Sequence, residues 1–147
     1  MRQLAKFFAL PLSEQQELAE AVLCLGVARL FLFLPFRHLV RLIGRPQAGV
    51  NCPTRVLGSD QRSTASAVSR AILRAAGRLP WQSSCLGRAL AARIMLRRRL
   101  VPSALQFGVR GGSATKLSGH AWLKCGDIDV VGVEDATDFT PMVEFHA

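Results

Sequence analysis

The sequence predicts an α+β fold, with helices first and a small antiparallel sheet after them. Up to about residue 99 apolar residues recur at helical spacing, and from residue 101 they alternate with polar ones. Gly126-Asp127, set between two alternating runs, is a two-residue hairpin signal. The chain has 147 residues, half of them hydrophobic, enough to bury a core without staples. It reads as one compact domain, with residues 1–60 a hydrophobic helical lead-in and residues 61–147 the core.

The elements follow in order. Residues 13–34 begin with Ser13 and Gln16 at capping-box spacing, and Leu18, Ala21, Val22 and Leu25 follow at helical spacing. A short helix is expected over 35–43, with Pro35 at its start, and then a loop from Gly44 to Gly58 with a turn at 51–53. A helix over 63–77 has Ala67, Val68, Ala71, Ile72 and Ala75 as its apolar stripe and Gly77 as its stop. The next runs to about Arg99, capped by Ser83 or Ser84. Strands are expected over 104–110, 119–125 and 128–132.

A net charge of +9, mostly from arginine, suits nucleic acid, an anionic membrane or an acidic peptide, without choosing among them. The absence of tyrosine argues against a base-stacking RNA platform. The run 21–35 is the most hydrophobic, but Arg29 interrupts it and it is short for a membrane span. Association with a membrane surface stays open, because Arg37, Arg41 and Arg45 follow. Four cysteines at 24, 52, 85 and 125 lack metal-ligand spacing, so no metal or other cofactor is expected. A disulfide framework is not expected either, which points to a reducing, cytoplasmic setting. Cys24, Cys52 and Cys125 read as structural.

Cys85 falls in the first turn of its helix, where free backbone N–H groups and the positive helix end favour a thiolate. By position alone it is either a small core residue or a nucleophile. His120, in a strand 35 residues on, supplies the imidazole that could take a thiol proton.

Three collinear segments carry a resemblance. They are Cys85, Leu86, Arg88 and Ala89 on the helix, then Leu105, Gly108 and Val109 on a strand, then His120, Ala121 and Trp122 on the next. Together with the closing run 139–145, they resemble the transglutaminase-like cysteine protease domain of lasso-peptide biosynthesis over roughly residues 80–147. The resemblance implies a papain- and transglutaminase-like fold, a catalytic helix packed on an antiparallel sheet. It implies a peptidase that cleaves the leader from a ribosomally made precursor before a separate cyclase closes a macrolactam. It also implies the stand-alone form, working with a separate leader-recognition protein. Nucleic acid is not an expected partner.

In that family an Asp 12 residues beyond the histidine completes the site, and here that position is Gly132. A two-residue loop at 126–127 would set His120 opposite Val133, which puts Asp135 one diagonal away. Glu134 would face away unless a bulge intervenes, and Asp129 would lie roughly 13 Å along the strand. Asp135 is therefore the expected acid, against a solvated acidic turn. The backbone N–H of Cys85 is the expected oxyanion donor. Gln82, Trp81 and Trp122 are candidates for helping it or for positioning substrate. Arg93 and Arg97, with Arg98 and Arg99, form either a solvated face or a contact for an acidic leader or partner. Two rival functions remain: acyl transfer to an amine, and a basic binding module without catalysis.

Overall fold

The computed structural model describes residues 11–43, 46–48, 56–111 and 117–146. In chain order it has α1 (Leu12–Phe31), α2 (Phe36–Ile43), β1 (Pro46–Ala48), α3 (Ser59–Ala76) and α4 (Cys85–Arg98). Then follow β2 (Ala104–Gly111), β3 (Leu117–Cys125), β4 (Ile128–Val131), a 3-10 turn (Ala136–Asp138) and β5 (Thr140–His146). The helices-then-sheet order is the expected one. The sheet is larger than expected, because Thr140–His146 is a strand and Pro46–Ala48 adds a short edge strand inside the expected loop. The expected turn at 51–53, and Cys52 with it, lie outside the described residues.

Two helix starts differ from the sequence expectation. The first helix begins at Leu12 after Pro11, so Ser13 lies inside the first turn and makes no cap. The third begins at Ser59, where Gly58 is the cap and its N–H donates to Gln61 Oε1 at 3.3 Å. The α3 start thus uses a local capping interaction one turn before the expected one, and α1 starts without a side-chain cap.

The five strands run in the order β1-β5-β2-β3-β4, all pairs antiparallel. α1, α3 and α4 pack on one another, α4 packs on β3, and α3 packs on β4. Leu25, Ile72, Met95 and Leu96 of the helices form the core with Leu105, Leu123 and Phe145 of the sheet. Those three sheet residues share one face, because Leu105 pairs with both Leu123 and Phe145. The opposite face carries Gln106, Trp122 and Glu144, also in register and also buried.

Gly108 belongs to that second face. A Cβ on it would come within 2.7 Å of the Trp122 ring and 2.9 Å of Thr140 O. The glycine of the Leu-x-x-Gly-Val segment is therefore what lets the Trp122 ring lie flat over β2.

Candidate active site

Ser84 caps α4: its Oγ accepts from Gly87 N at 3.1 Å and its carbonyl from Arg88 N at 3.0 Å. That leaves Cys85 as the first helical residue, half-buried, where the leading N–H groups have no acceptor within the helix. No acidic side chain occupies the first turn to offset the helix dipole. Arg88 Nε donates to Ser83 O at 3.2 Å and stiffens the entry to the helix.

His120 is half-buried on β3. Its ring stacks on Trp122 at 5.9 Å between centroids and tilts against Phe139 at 5.0 Å. Its Nε2 lies 2.7 Å from Gly132 O. A carbonyl oxygen only accepts, so a hydrogen bond here calls for a hydrogen on Nε2. The β3–β4 ladder reaches only to Leu123 and Val131, so His120, paired with Gly108 of β2, has no strand partner on the β4 side. No hydrogen bond joins the Cys85 thiol to His120. α4 packs on β3, but His120 has the strand parity of Trp122 and so lies on the sheet face opposite the one that carries Leu123 to the helices.

The expected acid is not at the histidine. Cys125 pairs with Ile128 and Lys124 with Asp129, as a two-residue hairpin requires, but Leu123 then pairs with Val131. The bulge leaves Val130 unpaired, and Ser69 Oγ holds its carbonyl at 2.6 Å. Gly132, at φ +79°, then turns the chain out of the sheet. Asp135 consequently lies exposed at the head of the 3-10 turn, not on a strand diagonal to His120. Glu134 is exposed as well, and Asp129 pairs with Lys124 at 3.2 Å.

The other candidates separate. Trp122 is buried and its indole N–H donates to Gln106 Oε1, so it has no hydrogen left for an oxyanion. Trp81 and Gln82 line a cleft of about 220 Å³ together with Ser83, Ser84 and Gly87 at the start of α4, and Leu25, Arg29 and Leu32 of the first helical hairpin. The Arg29 guanidinium lies over Trp81 at 5.6 Å. Arg93 is not on a solvated or docking face. It is 6% exposed and donates to Ile43 O, Phe145 O and His146 O at 2.6, 2.6 and 2.8 Å. Burial, with Arg97 nearby, lowers its pKa to about 10, which leaves it charged near neutrality. Arg97 is exposed. Arg98 and Arg99 both grip Glu20 of α1, at 2.9 and 2.6 Å.

The sequence reading missed Phe139, Gln106 and the Gly132 carbonyl. The only signal for the last was the 12-residue offset from His120. Cys24 and Cys125 are buried, and the Cys125 thiol donates to Pro102 O at 2.9 Å, in keeping with structural thiols. Burial, with Glu20 nearby, raises the Cys24 pKa.

A cysteine on a capped helix start and a histidine on an antiparallel strand packed against that helix define a transglutaminase-like α+β architecture. A scan against protein families matches the transglutaminase-like superfamily over residues 30–144. The chain belongs to that superfamily, whose folds serve cysteine-protease and acyl-transfer chemistry. Searches of the curated proteins and of the solved structures returned no match.

Proposed function

We propose that the chain is a cysteine peptidase that removes the leader from a lasso-peptide precursor. One observation carries the reading: the Cys-Leu-x-Arg-Ala, Leu-x-x-Gly-Val and His-Ala-Trp segments fall in order on α4, β2 and β3 of a transglutaminase-like domain. Cys85 is the nucleophile and His120 the base. The imidazole takes the thiol proton, and the thiolate attacks the scissile carbonyl. The backbone N–H of Cys85 faces the developing oxyanion, and Gln82, exposed three residues earlier, is the side-chain donor we assign beside it. The imidazolium returns its proton to the leaving amine of the core peptide. The thioester left on the leader fragment is then hydrolysed.

The cleft beside the first turn of α4 takes the substrate residues that flank the cut. A separate leader-recognition protein delivers the precursor, and a cyclase consumes the freed amine, in a cytoplasmic setting that keeps Cys85 reduced.

The test is cleavage of a precursor encoded beside this gene, followed by mass spectrometry. The wild-type chain should release leader and core, and Cys85→Ala and His120→Ala should leave the precursor intact while keeping their unfolding transitions. Normal cleavage by Cys85→Ala would end the mechanism. A product heavier by an amine instead of water would assign acyl transfer, the second chemistry that the superfamily supports.

A further inference from the structure

We infer that the backbone carbonyl of Gly132, and no carboxylate, positions the imidazole of His120, holding it as the Nε2–H tautomer with Nδ1 as the base. The inference rests on the reading of His120 as base for its catalytic meaning, and on geometry alone for the tautomer.

Three observations converge. Nε2 meets Gly132 O at 2.7 Å, well within hydrogen-bond range. The carbonyl is held there by a backbone that only glycine allows: φ is +79°, and a Cβ would stand 2.9 Å from Ala121 O and 3.3 Å from Trp122 Cβ. An aspartate at this position would meet both obstacles, so the carbonyl and the family's acid exclude one another at residue 132. The bulge that delivers Gly132 is itself fixed, by Ser69 Oγ on Val130 O.

No carboxylate hydrogen-bonds the imidazole among the described residues. Asp129 pairs with Lys124, and Asp138 with Arg110 at 3.4 Å, while Glu134 and Asp135 are exposed. Arg110 lies over Phe139 at 5.2 Å, the same ring that flanks His120. Trp122 and Phe139 keep the imidazole plane fixed, and the carbonyl fixes its rotation within that plane. A carbonyl does for the tautomer what a carboxylate would do, because either accepts the Nε2 hydrogen. It brings no net charge to stabilise the imidazolium, so the site is a dyad with a neutral orienting group.

Long-range ¹⁵N–¹H NMR of the full chain, with histidine labelled and His120 assigned by His120→Gln, reads the tautomer directly. The proposal expects Nε2 protonated and Nδ1 bare in the neutral ring. A predominant Nδ1–H tautomer overturns it. A second arm measures the rate of Cys85 alkylation by iodoacetamide against pH, which needs no peptide substrate. Asp129→Asn, Glu134→Gln, Asp135→Asn and Asp138→Asn should each keep the wild-type profile within about twofold. A fall of tenfold or a displaced profile in any one of them assigns a carboxylate the role and overturns the proposal. His120→Ala should shift the profile. If it does not, the Cys–His reading and the catalytic role of the carbonyl fall together, while the tautomer result stands on its own.

Discussion

Arg93 sits between the helical layer and the sheet end, and shows why a charge run cannot be read as a face. It lies on α4 with Arg97, Arg98 and Arg99, yet only Arg97 is left to solvent without a partner among the described residues. Its guanidinium donates to three backbone carbonyls, at the ends of α2 and β5. Arg93→Met keeps the stem and strands those acceptors. The expected cost is about 3 kcal/mol, read as a lower urea midpoint, because each buried acceptor left unpaired costs about 1–3 kcal/mol. A midpoint within error of wild type would make the network dispensable. Across the sheet, Glu144 is fully buried, with His146 Nε2 3.5 Å from its Oε1. It lies opposite Gln106, which holds Trp122 beside His120. The polar row on this face thus runs up to the edge of the candidate site.

At the scale of the element, α4 is framed by one favourable end and one strained end. Ser84 closes its start with a side-chain cap, where each such cap is worth about 1 kcal/mol. Its end closes with Val101 N donating to Leu96 O and Leu100 N to Arg97 O, with Leu100 at φ +55°. That is the left-handed position a glycine normally fills. Leu100 is 87% exposed and gains no packing in return. Leu100→Gly should therefore raise stability by about 1 kcal/mol, seen as a higher thermal midpoint without change in alkylation of Cys85. A lower midpoint would mean that the denatured-chain entropy of glycine outweighs the relieved strain. The strands show the same logic in reverse: the bulge at Val130 breaks a regular ladder and is compensated by Ser69.

For the whole molecule, the salient feature is the outer side of α1. Leu23 is 70% exposed and Leu30 67%, with Val27 between them, at spacings that share one helix face. The inner side carries Leu18, Ala21, Leu25 and Ala28 into the core. A helix apolar on both sides reads, in sequence, much like a membrane segment, yet no described helix is long and apolar enough to cross one. Leu23→Gln with Leu30→Gln should leave the unfolding free energy within about 0.5 kcal/mol, because neither residue packs on the core. Solubility, measured by ammonium sulfate precipitation, should rise as the patch is broken. A large loss of stability would mean that the face is covered by another part of the chain.

How much was legible follows from the range of each interaction. Helix order, the hairpin at Gly126-Asp127 and the cap on α4 were readable, because spacing and turn chemistry act over a few residues, and the collinear segments carry the superfamily. The third strand pair on β2 was not read as a strand, since Pro141 and an exposed Met142 interrupt the alternation of β5. Asp135 was chosen from a regular register, and one bulge was enough to move it off the sheet. Sequence alone determined the class of fold and nominated Cys85 and His120 for its chemistry. Only the tertiary structure decided that Arg93 is buried and that a carbonyl meets the imidazole. Both depend on which backbone groups remain unpaired once distant elements have packed, and no local pattern encodes that.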